Sequence, residues 1–344
     1  MTRNVLLICG SLNQTTIMHK ISRHLPGYNC YFTPFYADFF LGWLSKVGLV
    51  DFSILGGRHR MLTEEYLQKE NLPLDFAGKK RKYDLIVTAT DIIVQQNLIG
   101  KRLVLVQEGM TEPEDLSYKL VRNLNLPRFL ANTAATGLSN AYDVFCVASP
   151  GYRDLFLKKG IRQNKMVVTG IPNFDNAVQY LKNDFPYRNF VLAATSSTRE
   201  TLKFDNRMAY LEKVHKIAAG RPVIFKLHPN ENHARAMGEI KQVLPQALIL
   251  TEGNVHEMIA NCDVLVAQRS SVVYTGIALG KEVYAEMDTP FLRKLMPVQN
   301  GGRSADRIAQ VCIQLMEMSP VKLANYRMKS QARVKWRFSD QTYR

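Results

Sequence analysis

The feature that most constrains this chain is a unit that recurs along it: a short apolar run, a polar turn, then a helical stretch. It is clearest at Asp263–Gly280. Val264 to Ala267 form an apolar run of strand length, Gln268 and Arg269 make a polar turn, and Ser270 and Ser271 open a segment of small and apolar residues. An apolar run bounded by turn signals is what a strand buried on both faces looks like. Parallel neighbours cannot be joined by a hairpin and need a crossover, which a helix supplies. Repetition of the unit commits the chain to α/β architecture with parallel sheets.

At 344 residues the chain exceeds one ordinary core and suits two domains. The first series begins with strand Asn4–Gly10 and helix Gln14–Leu25. A less regular stretch, Pro34–Leu74, follows, with a helix expected at Phe39–Val47. Asp84–Thr88 and Leu103–Gln107 read as strands, Leu126–Thr133 as helix, Val144–Ala148 as strand, Tyr152–Lys159 as helix and Lys165–Thr169 as strand. A helix is expected around Asp175–Leu181. Lys182–Arg188 then breaks the pattern with polar residues and Pro186, which places a domain boundary there. The second series runs through strand Phe190–Thr195, helix Arg207–Ala219, strand Val223–Leu227 and helix Ala234–Val243; the segments Ala247–Leu250, His256–Asn261 and Val264–Ala267 then lead to the Ser-Ser helix, and Val283–Glu286 closes the sheet. Helix Ala305–Met318 and a basic helix close the chain. The expected organisation is 1–182, 188–318 and a C-terminal helix 319–344.

Forty-five Lys and Arg face 30 Asp and Glu, a net charge of +15. Such a chain seeks an acidic partner: a nucleotide, a polyanion, nucleic acid or an anionic membrane face. From Lys322 onward Arg and Lys alternate with Tyr326, Trp336, Phe338 and Tyr343, and Asp340 is the one acid. A basic aromatic helix can lie on an anionic bilayer, or pack on its neighbours through Tyr326 and Trp336; both readings stand. No apolar run reaches transmembrane length and the first residues do not form a signal-peptide pattern, so a cytoplasmic protein is expected, peripheral at the inner membrane face if the tail binds there. Five scattered cysteines and no Cys-x-x-Cys argue against a disulfide framework or zinc knuckle, and no Asp-x-Asp suggests a metal clamp. Neither a metal nor a resident cofactor is expected.

The candidate chemistry lies at the turns that follow strands, where open α/β sheets bind ligands. Ser270 and Ser271 combine two hydroxyls with the free N–H groups and positive dipole of an expected helix start, which suits a diphosphate. His228, in Lys226-Leu227-His228-Pro229, ends the preceding strand–helix unit and can hold a phosphate oxygen or move a proton. Thr195, Ser196 and Arg199 follow the first strand of the second series and also suit phosphate. Gly10 opens the turn after the first strand; without Gly-x-Gly-x-x-Gly or a Walker lysine it supports neither dinucleotide nor P-loop binding, and a role on the acceptor side is expected. Glu108, directly after Leu103–Gln107, is placed to serve as a general base. Glu112, Glu114 and Asp115 read as an acidic helix start.

Two segments carry a resemblance. Val147–Leu155, Lys159–Ile161 and Val167–Asp175 resemble the junction of UDP-N-acetylglucosamine 2-epimerases. Lys226–Pro229 and Asp263–Val283 look like the corresponding parts of CDP-glycerol glycerophosphotransferases and related GT-B glycosyltransferases. The resemblance implies two Rossmann-like domains facing across a cleft, with a nucleotide-diphosphate sugar donor in the second. It implies that Ser270 and Ser271 bind the diphosphate, that His228 contacts it, and that Glu108 occupies the place of a first-domain base or substrate contact. Two departures matter: at Thr195–Glu200 only Arg199 and Glu200 remain of the epimerase pattern, and Glu108-Gly109 stands where the glycerophosphotransferases have histidine-glycine. The expected function is transfer of a sugar or sugar-like group to an acceptor hydroxyl in surface-glycan synthesis, which makes a lipid-linked acceptor plausible; no nucleic-acid partner is expected. The rivals are a non-hydrolysing UDP-sugar 2-epimerase and a non-catalytic protein that binds polyanions or membranes.

Overall fold

A computed structural model describes residues 2–38, 42–43, 56–201, 204–268 and 270–330. The helix expected at Phe39–Val47 falls, apart from Gly42 and Trp43, outside the described residues, as do Arg269 and the tail beyond Ser330. The chain divides into two compact units, Met1–Asp175 with Asn300–Arg344, and Asn176–Gln299. The second unit is thus inserted in the first, whereas the polar stretch Lys182–Arg188 had suggested a simple succession with breaks at 182–188 and 318.

The first unit holds a parallel sheet of β1 (Asn4–Cys9), β2 (Asn29–Pro34), β3 (Leu85–Thr88), β4 (Leu103–Val106), β5 (Val144–Val147) and β6 (Met166–Val168), in the order β2-β1-β3-β4-β5-β6. The central strands β3, β4 and β5 are buried throughout, as runs that are apolar but for Thr88 require. Around the sheet lie α1 (Leu12–Ser22), α2 (Gly57–Lys69), α3 (Leu116–Asn123) and α4 (Pro150–Lys158), then α10 (Ser304–Glu317) and α11 (Pro320–Ser330) from the end of the chain. Ser11, Asp115 and Ser149 cap α1, α3 and α4 by accepting from the N–H groups of Gln14, Tyr118 and Tyr152. Asp115 thereby bears out the acidic helix start. Leu126–Thr133 is not a helix: after α3 the chain makes only short 3-10 turns at Arg128–Leu130 and Thr133–Ala135. There Arg128 pairs with buried Asp91 at 3.3 Å, which also accepts from the N–H groups of Gly137 (2.8 Å) and Ser139 (2.9 Å) just beyond.

The second unit holds β7 (Val191–Ala194), β8 (Val223–Lys226), β9 (Leu248–Leu250), β10 (Val264–Ala267) and β11 (Glu282–Tyr284), all parallel, in the order β11-β10-β7-β8-β9. Its helices are α5 (Arg207–Ala218), α6 (His233–Val243), α7 (Val255–Asn261), α8 (Val273–Ala278) and α9 (Thr289–Leu295). Val191, Ala193, Phe225, Val264 and Val266 form its core with Leu211, Val214, Ala236 and Ile240 from α5 and α6. Residues 177–181 form a 3-10 turn, not the α-helix expected from Asp175. Helix α8 lies close on its sheet because Gly276 has no side chain: a Cβ there would stand 2.8 Å from Leu265 and 3.0 Å from Val283. Cys9, Cys146 and Cys262 are buried, as expected of small core residues, and burial pushes the Cys146 and Cys262 thiols up to about 12.

Candidate functional site

In each sheet the strand order reverses beside its first strand, and the carboxyl ends at that reversal form the crevice where such folds take ligands. In the second unit the chain runs β7, β8, β9 to one side, then returns to place β10 on the other side of β7. The reversal lies between the ends of β7 and β10. Ala194 pairs with Ala267 across it and with Lys226 on β8, so the three strands end level. The residues that follow are Thr195-Ser196, Gln268 to Ser271, and Leu227-His228. The sequence-derived candidates of this unit, Arg199 apart, therefore stand on three adjacent strand ends, each about 5 Å from the next.

Several of their side chains bond to the loops themselves. Thr195 donates to Glu231 (2.5 Å) and accepts the His228 N–H (3.0 Å), so its hydroxyl fixes the backbone of the β8 turn. Glu231 is buried and pairs with the buried Arg207 of α5. Ser196 donates to Gln268 (3.1 Å), whose amide donates to Asp205 (2.6 Å), tying the β7 turn to the β10 turn. Arg199 forms a two-point pair with Glu239 (2.8 and 2.6 Å) and lies 3.5 Å from Asp205. This partnership holds the Arg199 guanidinium above its usual range and the Glu239 carboxyl below its own. Arg199, read as a phosphate ligand, is thus engaged by Glu239 in this structure.

The His228 ring is oriented by its neighbour: Asn230 N–H donates to Nδ1 at 3.1 Å. A ring nitrogen that accepts carries no hydrogen, so in the neutral ring the proton is on Nε2, which is then a donor. Lys226, one residue before the turn, is buried and donates to the carbonyls of Leu227 (2.9 Å) and Thr251 (3.0 Å). Burial lowers the Lys226 pKa. The Ser-Ser turn differs from expectation in one respect. The serines are not the cap of α8; they precede it in a turn, with the Ser270 and Ser271 carbonyls accepting from Val273 (3.4 Å) and Tyr274 (3.1 Å) and the Ser270 hydroxyl accepting from Val272 N–H at 3.4 Å.

In the first unit the order reverses between β1 and β3. Gly10 is buried and its carbonyl accepts from Thr63 of α2 at 2.8 Å. Glu108, beyond β4, reaches to the first turn of α1 and accepts from the Ser11 hydroxyl (2.9 Å), Asn13 (3.1 Å) and Gln14 (2.6 Å) side chains. These bonds occupy three of the roughly four lone-pair directions of a carboxylate and leave Oε2 with capacity for one more donor. His59 precedes Thr63 by one turn of α2, which puts both on one face. Burial lowers its pKa, and the charge of Glu108 acts in the opposite sense. Asn13 and Gln14 lie in the polar turn that opens at Gly10, Glu231 lies three residues after His228, and Gln268 directly follows a buried strand, although none of the four was assigned a role. His59, Asp205 and Arg207 were not anticipated; they come from elements far away in sequence.

No protein-family model matches the sequence, and no curated protein matches it. Solved structures do. The UDP-GlcNAc 2-epimerase of Neisseria meningitidis bound to UDP-GlcNAc is similar at 11% identity with a TM-score of 0.53, covering 90% of this chain and 100% of its own. The enzyme of Methanocaldococcus jannaschii, in complex with UDP-GlcNAc and UDP, gives 13%, 0.53, 91% and 100%. The S. aureus MnaA–UDP structure gives 11%, 0.53, 96% and 92%. The likeness is one of fold and spans nearly all of each chain. Together with the two parallel sheets it gives the class: an α/β protein of two Rossmann-like domains, the GT-B type.

Proposed function

We propose that the chain is an enzyme of nucleotide-diphosphate sugars that transfers the sugar, or a sugar-like group, to an acceptor hydroxyl. The observation that carries this reading is the coincidence of Ser270, Ser271 and His228 with the strand ends at and beside the β7/β10 reversal. In this reading the donor diphosphate is held by the serine hydroxyls and by His228 Nε2–H. Arg207, Glu231, Thr195, Ser196 and Gln268 fix the turns that present them. The acceptor oxygen bonds to the sugar carbon, the bond from that carbon to the diphosphate breaks, and the electron pair leaves with the diphosphate. Donors aimed at the departing oxygens stabilise the charge that grows there. Glu108 takes the acceptor proton on Oε2, with Ser11, Asn13 and Gln14 holding the carboxylate in place.

The test is calorimetry with UDP, CDP and other nucleoside diphosphates on the protein and on Ser270→Ala/Ser271→Ala. Hydrogen bonds to a charged group contribute about 1.5–3 kcal/mol each, so the double change should weaken binding by at least roughly a hundredfold with the fold intact. Unchanged affinity would remove the serines from the site. Glu108→Gln should leave binding in place and cut transfer roughly a hundred- to ten-thousand-fold. The epimerase reading is supported by the fold neighbours described above. It separates by NMR: only an epimerase inverts C2 of a UDP-sugar supplied without acceptor.

A further inference from the structure

The opposite end of the first unit's sheet, where its strands begin, has a different character. Lys79, Lys80 and Lys82 lie exposed in the loop before β3, and Lys101 is exposed before β4. The Asn4 side chain donates to the Lys82 carbonyl at 3.0 Å, which fastens the β3 loop to the start of β1. Helix α11 lies across the same edge. Its Arg327 donates to the carbonyls of Gly100 (3.2 Å) and Lys101 (2.8 Å) and pairs with buried Asp143 at 2.6 Å. Tyr326 donates to the Asn164 carbonyl, before β6, at 2.8 Å. Arg327, Tyr326 and buried Leu323 are thus the inner side of α11.

The outer side carries Val321 and Met328, 71% and 69% exposed. Their spacing of two turns stacks them on one stripe, with Lys322 and Lys329 along its flank. The carboxylates of this edge are few. Asp143 and Asp75 are buried and paired with Arg327 and Arg81; among the described residues Glu70 after α2, Asp84 before β3 and Glu317 at the end of α10 are exposed acids. We propose that this amino-terminal edge, with α11 at its centre, is a docking face for an anionic lipid bilayer. The lysines match the negative surface potential of the leaflet, each worth about 1 kcal/mol near it. Val321 and Met328 enter the boundary between headgroups and acyl chains, as the apolar stripe of an interfacial helix does. A soluble polyanion would engage the lysines and gain nothing from the two apolar side chains, and that difference selects the bilayer.

The experiment is co-sedimentation of the full chain with vesicles of phosphatidylglycerol in phosphatidylcholine, and with phosphatidylcholine alone, beside a heparin-binding measurement. The protein should sediment with the anionic vesicles and not with the neutral ones. Neutralising Lys101, Lys322 and Lys329 to Gln should lower partitioning roughly a hundredfold, the effect of three such charges. Val321→Ser/Met328→Ser should lower vesicle binding several-fold and leave heparin binding unchanged. All five side chains are exposed, and a melting curve for each variant checks that the fold is kept. The proposal is overturned if the unaltered protein fails to sediment or if the lysine variant binds as the unaltered protein does. It is also overturned if the Val321/Met328 variant keeps full vesicle affinity, which would make this a polyanion site.

Discussion

His19 is buried and His59 half-buried in the first unit, and burial lowers the pKa of each from the ordinary imidazole value of 6.5. The sign of the pH dependence follows. Below that value the unfolded chain takes up protons that the folded chain refuses, so stability falls as pH drops from about 7 toward each folded pKa. Thermal melts between about pH 7 and 5.5 should show the midpoint falling with pH, and His59→Gln should make the fall shallower. Equal slopes would mean that His59 titrates alike in both states. The residues of the site were legible in part. Ser270, Ser271 and His228 stand where the strand-to-turn pattern put them. The partners of Thr195 and Arg199 were not legible, because Glu231 and Glu239 come from a later strand–helix unit and nothing local marks them as facing back. For the same reason Glu108 read as an isolated carboxylate, although three side chains of α1 hold it.

Among the elements, the strands were the most legible part, since β4, β5, β7 and β10 are unbroken apolar runs and β3 and β8 are broken only at their last residues, Thr88 and Lys226. Strand β2 escaped because it lies at the sheet's edge, begins exposed and ends in Pro34. Helix α2 escaped because most of its residues are polar. The loops between elements depend on long-range ion pairs that no periodicity encodes, and the pair Arg207–Glu231 is the one to break. Both side chains are nearly inaccessible. Removing one partner of a buried pair costs about 3–5 kcal/mol. Asp205, 3.3 Å from Arg207, still offers compensation, so Glu231→Ala should cost about 3 kcal/mol in denaturant unfolding. A loss under roughly 1 kcal/mol would place the pair among weak surface bridges.

For the whole molecule, α10 is the element whose place no sequence pattern declared. An amphipathic helix announces that it has a buried face, not which sheet will receive it. Ala305, Ile308, Cys312 and Leu315 of α10 are buried, and α10 packs against α1 at the other end of the sequence. A fragment 1–182 should therefore be aggregation-prone, while residues 1–175 joined by a short linker to 300–344 should fold; circular dichroism and gel filtration of the two check this. A cooperative fold in the fragment 1–182 would show α10 to be dispensable. Docking on the amino edge has its own geometric corollary. Strand β4 has four residues, about 13 Å, so under the two proposals a bilayer on this edge would lie at least that far from Glu108, and a lipid-tethered acceptor would have to be long enough to span it. The two passages between the units meet at Asp175, whose carbonyl accepts from Asn300 N–H at 2.9 Å and whose carboxylate accepts from Ser304 N–H at 2.8 Å. A chain emerging from the ribosome meets this arrangement in an awkward order. The inserted unit is complete as soon as residue 299 is free, while the unit that began first must wait, with the α1 surface uncovered, until α10 has been made. For this protein the domain translated first is the domain finished last, and its nascent form is the one most in need of a chaperone.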